Sequence, residues 1–454
     1  MPLSVLVHTA RLPELGGGPK DAFALFEVVG RRPEAPHGVP YREAQPAPEL
    51  RAPLCLGLAL DASSSMRGPR FALAVQATRN VVSALGPQDR LAVVTFDRGA
   101  RVVLAPTALD REGSQAAMRA LDRLSTGVGT NMASGWQEAA DGVLRTLVPG
   151  AERRVLVLTD GYPSRGETNP ERLRARVAAG RSRGVETSLV GIGDGIDERL
   201  CAFLATAGEG RFHYVRDEGG LGEVVANEVE GAKALCARGV SLAISLDPRV
   251  ERAEVLHRYP CRPEGRELEV RVGTATYDVP RVVLAGLVAE DSPELSLATA
   301  VALGQRCGAL ETAANRETAQ GYALGAGASE ADRIASERVT VALQGVGDEA
   351  SRRRVAREFL SLRTLAEVRS AWDAVDQGDR EAVARRLERA RVLRRVLWER
   401  GLVDPPQLAG LPDVDVIQEA MLAAGGAARE ARRRFTSWAH NTQVSFVGQW
   451  PKKK

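Results

Sequence analysis

The chain has 454 residues, 44% hydrophobic and 26% charged, which are ordinary values for a globular protein. A formal net charge of +3 gives no strong field, so we expect neither nucleic acid nor an acidic membrane surface as a partner. The five cysteines include no C-x-x-C pair, which argues against a disulfide framework and a zinc site. No signal-like start and no apolar run of about 18 residues occurs, so we expect a cytoplasmic protein without membrane insertion.

The first segment, residues 1–47, contains two short apolar runs that are typical of strands, Leu3–Val7 and Phe23–Val29. A proline-rich linker, Pro33–Pro53, follows them. Two strands cannot form a stable sheet by themselves. We therefore expect this segment to join a β domain formed elsewhere in the chain.

Residues 48–235 alternate between strand and helix patterns. The run Leu54–Leu60 is continuously apolar, as in a parallel strand that is buried on both faces. Further apolar strands are predicted at Leu91–Phe96, Arg154–Thr159 and Thr187–Ile192, with helical patterns between them. This order predicts an α/β domain with a doubly wound, mostly parallel sheet.

The pattern changes after residue 235. Residues 236–346 contain short β patterns such as Val240–Leu246 and Leu268–Val272, which predict an antiparallel, β-sandwich-type domain. The α/β domain is then either inserted into this β domain or followed by it. The Ala-, Gly- and Glu-rich stretch 306–336 indicates no particular structure.

Two helical patterns occupy residues 347–401. The turn Asp376-Gln377-Gly378-Asp379 between them offers a glycine after one helix and an N-cap for the next, which predicts a helical hairpin. Residues 402–454 are interpreted as a C-terminal tail with a short helix near Val416–Ala423 and a β-prone end, Val444–Trp450.

Two arginine runs, Arg352–Arg354 and Arg432–Arg434, lie in this part of the chain. Such runs most often mark a solvated helix face, and acidic residues are interleaved with them. Nucleic-acid binding is therefore a minority interpretation.

Acidic and hydroxyl side chains follow two of the predicted strands. Asp61, Ser63 and Ser65 form a D-x-S-x-S motif directly after Leu54–Leu60, and Asp160 directly follows Arg154–Thr159. Thr130 lies in a glycine-rich loop before a helix. Because ligands bind at the carboxyl ends of the strands in such sheets, we expect these three loops to converge.

Carboxylates and hydroxyls are hard oxygen donors, which suit Mg²⁺, Mn²⁺ or Ca²⁺ better than zinc. A shell made largely of neutral hydroxyls leaves the cation with a net positive charge. An Asp or Glu from a partner protein would fill the remaining position with a charge-assisted bond.

Together these residues resemble the metal-ion-dependent adhesion site of a von Willebrand factor type A domain. The D-x-S-x-S motif matches the first part of that site, Thr130 its threonine and Asp160 its last aspartate. The resemblance implies that Ser63 and Ser65 bind the metal directly, that Thr130 binds it directly or through water, and that Asp61 and Asp160 act mainly through water. The whole chain is more loosely similar to bacterial intracellular proteins with this domain, some of which are called calcium-activated chloride channel homologues.

The resemblance implies a non-enzymatic interaction module that binds a partner's acidic residue through a divalent cation. Such proteins often act as adaptors in larger assemblies, including assemblies with AAA+ ATPases. It also implies that ligand binding can be coupled to movement of the last helix of the domain, here Leu221–Leu235. We predict no catalytic residues.

Two alternatives stay open. In the first, the metal only stiffens the loops of a structural scaffold. The second is a metal-dependent hydrolase, for which the sequence offers no general base near Ser65.

Overall fold

The computed structural model describes residues 3–13, 21–30, 52–216, 218–257, 259–277, 279–289, 294–306, 333–336, 339–344, 347–403, 413–422 and 426–443. The chain divides into two compact units. One unit contains the segment 40–235, and the other contains residues 1–39, 236–306 and the chain after residue 313. The predicted linker Pro33–Pro53 and the stretch 307–332 lie largely outside the described residues.

In its described residues, the first unit is built on six strands. In chain order they are β3 (Leu54–Asp61), β4 (Arg90–Phe96), β5 (Ala100–Ala108), β6 (Glu152–Thr159), β7 (Val185–Ile192) and β8 (Glu209–Val215). Their spatial order is β5-β4-β3-β6-β7-β8. All neighbours are parallel except β4 and β5, which form an antiparallel edge pair. The prediction of a doubly wound, mostly parallel sheet is therefore confirmed.

Six helices cover the two faces of this sheet. They are α1 (Pro69–Ala84), α2 (Arg111–Leu121), α3 (Met132–Arg145), α4 (Pro170–Ser182), α5 (Glu198–Ala207) and α6 (Glu218–Lys233). Side chains of α1, α2 and α6 pack with Leu56, Leu58 and Leu60 on one face, and those of α3, α4 and α5 pack with Cys55 and Ala59 on the other. Because consecutive side chains of a strand point to opposite faces, β3 must be apolar along its whole length.

The described residues of the second unit form two antiparallel sheets. Its strands are β1 (Leu3–Ala10), β2 (Asp21–Gly30), β9 (Leu235–Leu246), β10 (Val250–Val255), β11 (Cys261–Glu264), β12 (Glu267–Thr276), β13 (Arg281–Ala289), β14 (Glu294–Arg306), β15 (Arg333–Ala335) and β16 (Val339–Gln344). One sheet has the order β1-β2-β13-β10, and the other has the order β11-β12-β9-β14-β15, with β16 also paired to β14.

These two sheets pack face to face. Phe26 of β2 and Val283 of β13 share a buried cluster with Leu242 of β9 and Val270 of β12. The N-terminal strand β2 pairs with β13, since Phe26 lies opposite Val283 in that ladder, and β1 pairs with β2. The antiparallel sheets of the predicted fold class are confirmed.

The outer face of the smaller sheet is covered by helices. These are α7 (Glu349–Asp376), α8 (Arg380–Glu399), α9 (Val414–Leu422) and α10 (Gly426–Gln443). Leu25 directly precedes Phe26, and Leu284 directly follows Val283. Both leucines pack into a cluster with Leu360 of α7. Because side chains alternate between the two faces of β2 and β13, one set packs between the two sheets and the other packs against the helices.

The helical hairpin of α7 and α8 is confirmed. Gly378 adopts a φ of 74°, which a glycine tolerates at no steric cost, and the side chain of Asp379 caps α8 by accepting a hydrogen bond from the backbone N of Ala382.

The interpretation of residues 402–454 as a tail is wrong for its middle part, because α10 follows the short helix α9. Phe435, Trp438 and Ala439, spaced to share one helix face, are buried with α7. The predicted β-prone end, Val444–Trp450, lies outside the described residues.

The arginine runs are not simply solvated. Arg433 is 4% exposed, and Arg432 forms two hydrogen bonds of 2.8 and 2.7 Å to the carboxylate of Asp376. Arg354 pairs with Glu27 of β2. None of the helices in the described part of the chain combines the length and the apolar character needed to cross a membrane.

Candidate metal centre

The first loop of the candidate centre follows β3. Asp61 is the last residue of that strand and is fully buried, and its Oδ1 accepts a hydrogen bond of 2.8 Å from the backbone N of Ser63. This turn folds back on itself, and it brings the hydroxyls of Ser63 and Ser65 to 3.0 Å from each other. A strand that ends in D-x-S-x-S thus places a carboxylate and two hydroxyls within one short turn.

The second loop follows β6, the neighbour of β3 on the other side of the point where the strand order reverses. Asp160 is 1% exposed, and its Oδ1 accepts a hydrogen bond of 2.7 Å from Ser65 Oγ. Its other oxygen, Oδ2, accepts a hydrogen bond of 3.1 Å from Arg70 Nη1. The two predicted motifs are therefore in direct contact.

The third loop carries Thr130, which is 6% exposed. Backbone hydrogen bonds fix this loop to the other two: Gly127 N donates to Ala62 O at 2.6 Å, and Ser164 N donates to Thr130 O at 2.9 Å. Gly129 has a φ of 88°, a conformation that strongly favours glycine, so the loop can turn sharply just before the threonine. All three loops meet at one edge of the sheet.

The electrostatics around Asp61 are unusual. Burial raises the pKa of its carboxyl from 3.8 to about 6, although hydrogen bonds from Thr159 and Ser63 lower that pKa, and the nearby charge of Asp160 raises it further. Thr159 Oγ1 donates to Asp61 Oδ2 at 2.6 Å. A buried carboxylate with hydroxyl and amide neighbours is poorly compensated and gains from a cation.

The donor set fits a hard divalent cation. All side-chain donors are oxygens, and two oxygens bound cis at about 2.1 Å in an octahedral Mg²⁺ shell are roughly 3.0 Å apart. The Ser63 and Ser65 hydroxyls have that separation, 3.0 Å. Among the described residues, including the candidate centre, no three His, Cys, Asp or Glu side chains are grouped so that they could hold a metal ion, so the centre depends on its hydroxyls.

The charges also fit a divalent cation. Asp61 and Asp160 contribute two negative charges when ionised, and the Arg70 guanidinium returns one positive charge. A divalent cation at this edge would therefore leave one positive charge for an outside ligand.

Two residues that contact the carboxylates of the centre, Arg70 and Thr159, were not predicted from the sequence. Arg70 lies in the first turn of α1, 41% of its side chain is exposed, and nothing in its local sequence predicts an ion pair with Asp160. Thr159 carried a weak signal, since it is a hydroxyl residue at the end of an apolar strand and next to Asp160. Its contact with Asp61 depends on the pairing of β3 with β6.

Two curated proteins are similar to parts of the chain. "Uncharacterized protein YfbK" of Escherichia coli is 26% identical over 191 residues, which is 42% of this chain and 33% of that protein. "Uncharacterized protein sll0103" of Synechocystis is 27% identical over 252 residues, which is 53% of this chain and 58% of that protein. The chain thus covers less than two thirds of the length of either relative.

Solved structures are similar over the full length. A structure titled "von Willebrand factor type A from Catenulispora acidiphila" covers 100% of this chain and 97% of its own, with a TM-score of 0.65 and 15% identity. The ArnB paralog VWA2 from Sulfolobus acidocaldarius covers 98% of both chains, with a TM-score of 0.53 and 14% identity. At these identities the likeness concerns the fold. Residues 56–227 match the model of the von Willebrand factor type A family, so the chain contains a von Willebrand factor type A domain.

Proposed function

We propose that this domain binds a divalent cation, Mg²⁺ first among the candidates, and presents it to a carboxylate of a partner protein. Ser63, Ser65 and Thr130 are the proposed direct ligands, and Asp61 and Asp160 act mainly through water. Domains of this family are generally protein-interaction modules and commonly bind a divalent metal.

The observation that supports the proposal best is the incomplete charge balance of the centre. Two carboxylates and one guanidinium leave a divalent cation with one uncompensated positive charge, as counted above. Hydroxyl ligands are neutral, so they do not reduce this positive charge. An incoming Asp or Glu side chain supplies one negative charge and one oxygen, so a single carboxylate balances the charge of the cation together with Asp61, Asp160 and Arg70.

We extend the proposal to an adaptor role in a larger assembly. The family match covers residues 56–227, so more than half of the chain, including the sandwich and four helices, lies outside it. Those regions offer further surfaces, while the metal centre would recognise one acidic residue.

The test measures Mg²⁺ binding by titration calorimetry and the free energy of unfolding with Mg²⁺ or with EDTA. At a Mg²⁺ concentration 100 times the Kd, the wild-type chain should gain about 2.7 kcal/mol. Thr130→Ala should lose most of this gain. Thr206→Ala, which changes an exposed threonine of α5 in the same domain, is the matched control and should respond like the wild type.

A second measurement concerns the carboxylate. A synthetic peptide with a single Glu should bind the wild-type chain in Mg²⁺ and not in EDTA. Cation binding without peptide binding would favour a metal-stiffened scaffold. An equal Mg²⁺ response of the wild type and Thr130→Ala would refute the proposed site.

A further inference from the structure

Two large side chains close to the candidate centre are exposed. Val128 lies two residues before Thr130 and is 57% exposed, and Tyr162 lies two residues after Asp160 and is 58% exposed. Single exposed apolar side chains are common on protein surfaces, so the relevant observation is the position of these two, one in the loop of Thr130 and one in the loop of Asp160. Both project from loops that the backbone hydrogen bonds at Thr130 and Ala62 join together.

Two arginines lie beside the same loops. A methyl group at Gly129 would be 2.9 Å from Arg165 Cγ and 3.7 Å from Arg98 Cα, so both residues lie against the glycine that precedes Thr130. Their backbones are fixed there: Arg165 N donates to Thr130 O at 3.2 Å, and Arg98 O accepts from Asn131 Nδ2 at 3.3 Å. We call Arg98, Val128, Tyr162 and Arg165 the rim.

The rim arginines differ from Arg70. The guanidinium of Arg70 pairs with Asp160, whereas those of Arg98 and Arg165 form no ion pair with any residue that the structure describes, and both residues are exposed. The acidic residues at this edge of the sheet include Asp194, which is exposed in the turn after β7, and Asp97, whose carboxylate lies against Gly127. Two guanidinium groups without acidic partners beside a cation centre form a surface complementary to a segment with more than one negative charge.

We infer that the partner segment carries a second carboxylate, which pairs with Arg98 or Arg165, and an apolar side chain, which packs on Val128 and Tyr162. The inference rests on the proposed function for the first carboxylate, which the cation binds. It adds the chemistry of the residues next to that carboxylate in the partner segment. The segment has two acidic residues and one apolar residue. Guanidinium groups suit this role, since they bind carboxylates in a fixed, bidentate geometry.

The test uses the full-length chain in Mg²⁺ and three sets of synthetic peptides. Each peptide has a first Glu, then one, two or three serines, then a second position occupied by Glu, Gln or Lys. The wild-type chain should bind the best Glu/Glu peptide about threefold more tightly than the matching Glu/Gln peptide, a ratio typical of an exposed ion pair.

Charge reversal sharpens the test. The double variant Arg98→Glu with Arg165→Glu should prefer Glu/Lys over Glu/Glu peptides, while it still requires Mg²⁺. The control is Arg111→Glu with Arg183→Glu, two exposed arginines at the start of α2 and at the end of α4, and it should keep the wild-type order. In the best peptide, replacing a serine by Leu should tighten binding about threefold, and Tyr162→Ser should abolish that gain.

The outcomes separate the two proposals. Equal Mg²⁺-dependent binding of Glu/Glu and Glu/Gln peptides, or an unchanged order after charge reversal, would overturn the second carboxylate contact and leave the metal centre standing. No gain from Leu, or the same gain in Tyr162→Ser, would overturn the apolar contact. If no peptide bound in a Mg²⁺-dependent way, the inference would fail together with the carboxylate step of the proposed function.

Discussion

Two buried carboxylates of the same domain have pKa values that are shifted in opposite directions. Glu228 on α6 lies between Arg211 and His213 of β8, at 3.4 and 2.9 Å, whereas Asp61 at the end of β3 is surrounded by hydroxyls and an amide, with Asp160 nearby. Burial would raise the pKa of both groups. The charge of Arg211 and the hydrogen bond from His213 outweigh burial at Glu228, so its pKa is lowered, while the pKa of Asp61 is raised.

The difference separates a structural charge from a functional one. At Glu228 the protein provides the counter-charges itself, and the group stabilises the fold. At Asp61 the protein leaves the charge undercompensated, which costs stability and, under the proposed function, is offset by a bound cation. Three substitutions test this contrast, in order of decreasing effect.

The largest effect is expected for Glu228→Gln. Removing one partner of a buried charge pair takes from Arg211 a carboxylate at 3.4 Å, so the free energy of unfolding at pH 7 should fall by about 3 kcal/mol. Because the folded-state pKa of Glu228 is lowered, its contribution is present above the unfolded value of 4.5 and is lost as the pH falls below it. The gap between wild type and variant in chemical denaturation should therefore shrink at acid pH.

The control for this variant is Glu230→Gln on the same helix. Glu230 is 65% exposed and pairs with Lys233, so its loss should change the free energy of unfolding by less than about 0.5 kcal/mol. The Mg²⁺ affinity should be unchanged in both variants. A Glu228→Gln chain as stable as the wild type would show that Glu228 does not stabilise the fold.

A smaller effect of opposite sign is expected for Asp61→Asn. The raised pKa means that the native state binds a proton more tightly than the unfolded chain, so wild-type stability in EDTA falls as the pH rises from 3.8 to about 6 and is level above it. At about 1.4 kcal/mol per pKa unit, the variant should be more stable than the wild type at pH 7 by up to about 3 kcal/mol, less any loss from altered hydrogen bonds.

Adding Mg²⁺ should remove most of that difference, since the expected gain of about 2.7 kcal/mol at 100 times the Kd is close to it. The wild-type chain should gain stability with Mg²⁺, and Asp61→Asn should gain little, as measured by denaturation at pH 7 with Mg²⁺ and with EDTA. The amide that replaces the carboxylate can still accept a hydrogen bond from Ser63 N and donate one to Thr159, so the turn itself is preserved. A variant less stable than the wild type in EDTA would contradict an undercompensated carboxylate.

The smallest effect is expected for Arg70→Gln. Arg70 is 41% exposed, so its pair with Asp160 should contribute less than about 1 kcal/mol to stability. Loss of its positive charge beside the cation should tighten Mg²⁺ binding about threefold, as calorimetry would detect. Arg79→Gln, which removes the exposed pair with Asp122 from the same helix, should leave the Mg²⁺ affinity unchanged. Weaker binding in Arg70→Gln would show that Arg70 orients Asp160 more than it repels the cation.

Much of the fold could be predicted because the pattern of apolar residues along a segment indicates which of its faces are buried. The uniform apolarity of β3 predicted a strand covered on both faces, and the Gly378-Asp379 turn predicted the boundary between α7 and α8. Two of the strands that the sequence did not indicate, β10 and β11, are the outermost strands of their sheets. The residues of β11 are all exposed, so no alternation marks it.

The helix α10 was missed for a different reason. Its arginine run masks an apolar face formed by Phe435, Trp438 and Ala439, and Arg433 is itself buried. The pairing of Arg432 with Asp376, 56 residues away, offsets the charge that made the arginine run resemble a solvated helix face.

For the candidate centre, the sequence by itself determined which groups lie at two strand ends and in one loop: Asp61, Ser63 and Ser65 at the end of β3, Asp160 directly after β6, and Thr130 after Gly129 in the loop before α3. It could do so because strand ends and turns are set by neighbouring residues. The tertiary structure alone decided that Ser65 touches Asp160, that Thr159 touches Asp61, and that Arg70 neutralises part of the site. Those contacts join residues 90 or more positions apart, and they depend on which strands pair and how deeply each carboxylate is buried.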